Sequence, residues 1–120
     1  MPSTQPAVSI HPYFRVHAGQ MGAVQALLRE FIQRTSTEPG VLYYDFSIGG
    51  DLVFCREAYR DAAALLAHVG NVGAQVERML TLSALERLEI HGPAAELEKL
   101  KGPLAGLKPA WFASECGITR

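Results

Sequence analysis

The chain predicts an α+β fold whose elements run in the order βαββαβ, followed by a C-terminal helix and a short strand. Three patterns carry this. Apolar residues alternate with period two from Val8 to His17, they recur every three or four residues from Gln20 to Thr35, and two runs rich in Val, Tyr and Phe flank the glycine turn Gly49-Gly50-Asp51. With 120 residues, 48% of them hydrophobic, the chain has enough apolar material for one core and no room for a second domain.

In the first strand Val8, Ile10, Phe14 and Val16 alternate with Ser9, His11, Tyr13, Arg15 and His17. Pro12 lacks the amide donor of a central strand, so an edge position or a bulge is expected there. The helix that follows carries Met21, Val24, Leu27, Leu28, Phe31 and Ile32 on one stripe. Glu38-Pro39-Gly40 ends it, because proline cannot donate within a helix and glycine accepts the backbone angles of a stop. Val41–Ile48 and Leu52–Tyr59 then form a hairpin. Strict alternation puts Leu42, Tyr44, Phe46 and Ile48 on one face of its first strand and Val41, Tyr43, Asp45 and Ser47 on the other.

Arg60-Asp61-Ala62 opens a second helical region reaching Leu82, with Leu65, Leu66, Val69, Val72, Val76, Met79 and Leu80 as its apolar set and a bend or break at Gly70 and Gly73. Ser83–His91 reads as the fourth strand. Pro93 starts a further helix that Gly102-Pro103 stops, Leu97, Leu100, Leu104 and Leu107 make the tail partly apolar, and Trp111–Cys116 alternates as a last strand on an edge of its own or a neighbouring subunit.

With right-handed crossovers this order gives a four-stranded antiparallel sheet with both helices on one face, the ferredoxin-like plan. The other face is left bare. It would expose Val41, Tyr43, Val53 and Tyr13, or their opposite-face counterparts, and a second copy of the same sheet is the natural cover, so a homodimer is expected.

Eleven basic residues against twelve acidic leave a net charge of -1, which gives nucleic acid or an anionic membrane no electrostatic footprint to grip. No apolar run is long enough to span a bilayer, and Met1 to Gln5 lack the basic start and apolar stretch of a secretory leader, so the cytoplasm is the expected compartment. Cys55 and Cys116 form no C-x-x-C pair and are expected as free thiols. No P-loop, dinucleotide fingerprint or G-x-S-x-G elbow occurs.

Of the four histidines, His11 and His17 share a strand face but lie six residues apart, roughly 20 Å along an extended strand, too far for two ligands of one ion. With His91 they read as solvated or hydrogen-bonded groups, and no metal site is expected. His68 differs, because it lies on the second helix one turn after Leu65, at the border of the apolar stripe.

The segments Glu38-Pro39-Gly40, Glu57-Ala58-Tyr59 and Ala64-Leu65-Leu66-Ala67-His68, in that order and spacing, resemble the antibiotic-biosynthesis monooxygenase-like family. The resemblance covers roughly residues 8–91, the core of a single domain spanning 1–120 with 92–120 as an extension. It implies a dimeric α+β barrel, a pocket inside each subunit between helices and sheet, and contact between substrate and the second helical region. It also implies a tryptophan where this chain has His68 and an asparagine for which Pro12 is the nearest first-strand position, while the lone tryptophan is Trp111 in the tail.

Oxygenases of this kind act without a cofactor on quinols and anthrones. They need a dry pocket, a base for a phenolic proton and donors for the resulting anion. His68 is the candidate base, Tyr44 and Arg56 are the candidate donors, and Phe14, Phe46, Val69 and Val72 are the candidate wall around a small aromatic molecule. A non-catalytic binder on the same scaffold is the alternative. A haem-degrading variant is the third reading, and Gln75–Met79 offers it no axial histidine. Glu57, with Tyr59, His11, Tyr13, Arg15, Tyr43 and Asp45, is expected on the opposite sheet face in a network fixing the pairing of two subunits.

Overall fold

The computed structural model describes residues 7–118, so the leader reading at Met1 to Gln5 lies outside the described residues. The strands β1 (Val8–Val16), β2 (Val41–Gly49), β3 (Leu52–Tyr59), β4 (Ser83–Gly92) and β5 (Ala110–Ala113) form one sheet in the order β2-β3-β1-β4-β5. Neighbours among the first four pair antiparallel, and β5 adds to the free edge of β4 in parallel. The expected α+β fold is present, and the tail strand joins the sheet of its own chain.

Helix α1 (Met21–Thr35) buries Val24, Leu27, Leu28 and Phe31 of the expected stripe, while Met21 is half-buried and Ile32 at its edge is exposed. The second helical region is two helices, α2 (Ala62–Asn71) and α3 (Gly73–Leu82), broken at Val72 between the two glycines. The Asp61 side chain accepts from the Ala64 amide at 2.8 Å and so caps α2. Helix α4 (Ala94–Lys101) follows β4 and is tied to α2 by Glu96, whose carboxylate accepts the Ala62 amide at 3.0 Å, at the positive end of the α2 dipole. In the hairpin, Gly50 takes φ +63° at the first position of a two-residue loop, where a side chain would be strained.

Pro12 does not sit at an edge. β1 is central, and the missing amide interrupts its pairing with β3 between Ile10 and Tyr13, while the pairing with β4 shifts register just after Tyr13. A second irregularity, between Val41 and Tyr43 in β2, turns Val41 back toward the helices. Val53 is fully buried on that side as well. The bare face therefore carries neither valine. It holds an aromatic and charged set: Tyr13 against Phe54 (ring centroids 4.7 Å apart), His91 against Phe112 (4.5 Å), and Arg15 bonded to Asp51 and Glu86, each at 2.6 Å.

The core divides into two clusters under the helices. One gathers Val8, Tyr59, Leu65, Ile90, Leu97 and Leu100, and the other Phe14, Val24, Leu27, Phe31, Val53 and Met79. Each large side chain buried in them contributes about 1.5–3 kcal/mol. Gly40, at the close of the α1–β2 turn, lies so near α2 that an added Cβ would come within 2.5 Å of the Ala64 Cβ, whereas Gly22 in α1 faces open space. Gly40→Ala should lower unfolding free energy by about 1–3 kcal/mol through overpacking. Gly22→Ala should raise it by about 0.4–1 kcal/mol through helix propensity and a less flexible unfolded chain. Urea titration of both variants reads the opposite signs.

Candidate functional site

The seam between the two clusters is a pocket of about 100 Å³. Its floor is the helix-facing side of the sheet: Tyr44 and Phe46 of β2, Glu57 of β3, Ile10, Pro12 and Phe14 of β1, and Leu85 and Leu88 of β4. Its roof comes from α2 and α3 through His68, Val69, Val72, Val76, Met79 and Leu80, with Phe31 from α1 and Leu107 from the 3₁₀ turn Ala105–Leu107. The walls are almost wholly hydrocarbon and aromatic, and the polar groups are concentrated where α2 crosses β2 and β3.

His68 is 4% exposed, on the α2 stripe with Ala62 and Leu65. Its Nδ1 lies 2.9 Å from Glu38 Oε2 and 3.1 Å from Oε1. Glu38 belongs to the turn that ends α1, and the same Oε2 accepts from Asn71 Nδ2 at 2.7 Å. Asn71, one helical turn after His68, is gripped in turn by Arg34, which donates from Nε to the Asn71 carbonyl at 2.7 Å and from its terminal nitrogen to Oδ1 at 3.1 Å. The rings of Tyr44 and Tyr59 lie 5.1 Å and 5.0 Å from the imidazole.

On the pocket side, His68 Nε2 is 3.5 Å from Glu57 Oε1, and that oxygen accepts the Tyr59 hydroxyl at 2.6 Å. Because Nδ1 faces a carboxylate, the hydrogen-bond network assigns the ring proton to Nδ1 and leaves the Nε2 lone pair toward the pocket. Burial lowers the His68 pKa below the usual histidine value, against the pull of Glu38. Burial raises the Glu57 carboxyl to about 7 against the Tyr59 and Cys55 donors, and the charge of Glu38 adds to the rise. The Tyr44 phenol is pushed well above its usual range, first by burial and then by Glu57, so it remains a donor. A neutral imidazole base beside a carboxyl that titrates near neutrality is an arrangement for moving a proton to and from a bound molecule.

Of the residues singled out from sequence, His68, Tyr44, Phe14, Phe46, Val69 and Val72 line this one pocket. Arg56 does not. It pairs across the hairpin with Asp45, its side chain is 63% exposed, and its guanidinium lies over the Tyr43 ring at 5.5 Å on the bare face. The residue opposite Tyr44 is Glu57, one position on, so the face expected for Arg56 belongs to Glu57. Glu57 and Tyr59 are accordingly absent from the bare face on which they were expected. Their signal was in the sequence, since Val53, Cys55, Glu57 and Tyr59 share one parity of β3 and all are buried. Glu38, Asn71 and Arg34 were not singled out as site residues. The readable hint was an amide three residues after His68, on the same helix face.

Glu57 binds its proton more tightly folded than unfolded. Its burial therefore costs nothing at low pH and removes about 3 kcal/mol of stability as pH rises from about 4.5 to 7. His68 has the opposite sign, weakening the fold as pH falls below 6.5. In urea titrations from pH 4 to 9, Glu57→Gln should gain stability relative to wild type as pH rises through this window, then level off. His68→Gln should flatten the acid side instead.

A family model described as antibiotic biosynthesis monooxygenase matches residues 7–76. Comparison with curated proteins yields no match. Among solved structures, MupZ from Pseudomonas fluorescens is 39% identical, with a TM-score of 0.95, over 100% of this chain and 94% of its own. Rv0793 from Mycobacterium tuberculosis (24% identity, TM-score 0.67) is matched over 72% of this chain and 94% of its own. SO0527 from Shewanella oneidensis (21%, 0.63) is matched over 75% and 90%, and these two likenesses speak for the fold alone. On the match of the family model over more than half its length, the chain belongs to the antibiotic biosynthesis monooxygenase family.

Proposed function

We propose that the protein is a cofactor-independent monooxygenase acting on an electron-rich aromatic molecule of quinol or anthrone type. The observation that carries this is the buried imidazole of His68, held through Nδ1 by Glu38 and presenting Nε2 to an apolar pocket.

The chemistry uses only residues of this chain and the substrate's own electrons. His68 Nε2 takes a proton from the acidic hydroxyl or methylene, and the Tyr44 hydroxyl stabilises the anion that forms in the dry pocket. The anion passes electrons to molecular oxygen and the two join through a new C–O bond. The resulting peroxide takes a proton from the His68–Glu57 pair. Loss of water from the C–H and O–OH groups turns that carbon, an anthrone methylene or a ring C–H of the phenol, into a carbonyl, so one oxygen atom stays on the product, the other leaves as water, and the substrate supplies all four electrons.

The protein also works as a homodimer in this reading. The bare face carries Tyr13, Phe54 and Phe112, a second copy is the cover that family membership favours, and the pocket lies on the far side of the sheet within each subunit. Phe54→Glu places a charge in that contact and should convert a sedimenting species of twice the chain mass into single chains.

Oxygen consumption with a panel of hydroquinones and anthrones tests the activity. His68→Ala and His68→Gln should each lower kcat/KM by about 10²–10⁴-fold, and Tyr44→Phe by a smaller factor. Wild-type activity should fall on acidification only below pH 6.5, since the base titrates below the ordinary histidine value. Saturable binding of these compounds without oxygen uptake would make the protein a binder, and full activity in both His68 variants would remove His68 as the base.

A further inference from the structure

The polar groups of the pocket stand at one end of it. Tyr44 and Glu57, with His68 above them, belong to β2 and β3, while Leu85 and Leu88 come from β4 on the other side of β1. At the usual strand spacing of about 4.8 Å, the floor runs roughly 14 Å from β2 to β4. Leu107 lies in the connection from α4 to β5, the strand beyond β4, and therefore closes the end remote from His68. That end is also the more open one: Leu107 is 39% exposed, and Leu80, which also lines the pocket, is 42% exposed.

Leu107 is held there by a rigid support. Leu97, Leu100 and Leu104 are buried in the core, and Glu96 fastens α4 to the start of α2. The Leu107 amide donates to the Leu104 carbonyl at 3.1 Å, and Lys108 turns the chain into β5 with φ +52°. The two smaller solved relatives are matched over nearly all of their own length but only 72% and 75% of this chain, leaving an excess about as long as this extension, whereas MupZ spans the whole chain.

The geometry points to Leu107 as a specificity-determining residue: it sets the length of the ligand, which lies across the strands with a phenolic ring at His68 and an apolar substituent running over β1 to the C-terminal extension. This rests on the reading of the His68 end as a site for an acidic aromatic hydroxyl.

Binding of 4-n-alkylphenols from ethyl to decyl, measured by calorimetry on the full chain, tests it. In the wild type, affinity should rise about fourfold per methylene until the substituent reaches Leu107 and then level off. Leu107→Trp should move the break to shorter chains and Leu107→Ala should move it to longer ones. The side chain is part-exposed at the pocket mouth, so both variants should fold as the wild type does. A break at the same chain length in all three proteins overturns the assignment to Leu107 and leaves the His68 site standing. Failure of every phenol to bind overturns the reading of the His68 end, and the inference with it.

Discussion

The organisation of this protein depends on placing one carboxylate, Glu38, under cover beside His68. A buried carboxylate is costly unless its lone pairs are filled, and here the His68 ring and the Asn71 amide fill them. The turn that stops α1 is thereby fastened to the end of α2, two segments 30 residues apart in sequence. Removing either neutral partner would leave a charge in a poorly hydrated corner, a larger loss than the hydrogen bond itself. The same contact fixes the imidazole, so the part of the fold that locks α1 to α2 is also the part that orients the proposed base.

Close packing explains why the pocket lies where it does. The helix layer is interrupted at Val72, so α2 and α3 serve different clusters, and the gap between the clusters opens over the middle of the sheet. Pro12 lines the pocket at that same place on the floor. Its missing amide and the register shift after Tyr13 disturb the centre of the sheet directly beneath the helix break. Proline in a central strand is a poor choice for the ladder alone. Its position under the pocket ties the irregularity to the cavity.

How much of this was legible follows from the period of each signal. Helix and strand identities were readable because Val24, Leu27, Leu28 and Phe31, or Val8, Ile10, Phe14 and Val16, repeat the period of one element over several turns or pleats. Two faces differ from the expected ones, for different reasons. The bulge at the start of β2 returns Val41 to the core, and the register of the hairpin sets Glu57, not Arg56, opposite Tyr44. A one-residue slip exchanges the whole face of a strand, and although the apolar parity of Val53, Cys55 and Tyr59 marks the face of Glu57, the register that sets it against Tyr44 comes only from pairing with β2. His68 was visible as a polar residue on an apolar stripe. The Glu38–Asn71–Arg34 chain was not, since its members come from a turn and two helix ends that only tertiary packing brings together.

The two titrating groups facing the pocket oppose each other thermodynamically, which bears on whether they are structural. Burial disfavours the charged form of each, so Glu57 resists losing its proton while His68 resists gaining one. A network built only for stability would join their nitrogen and oxygen in a short ion pair. Their separation of 3.5 Å is looser than the 2.9 Å between His68 and Glu38, so the imidazole is gripped on its structural side and lightly held on the pocket side. Deep burial of two ionisable groups without a tight bond between them weakens the fold at both pH extremes, and a hydrocarbon pair of the same size would not. On stability alone such a pair is a net cost. In the proposed reaction the pair exchanges a proton with the bound molecule, a use that would offset this cost.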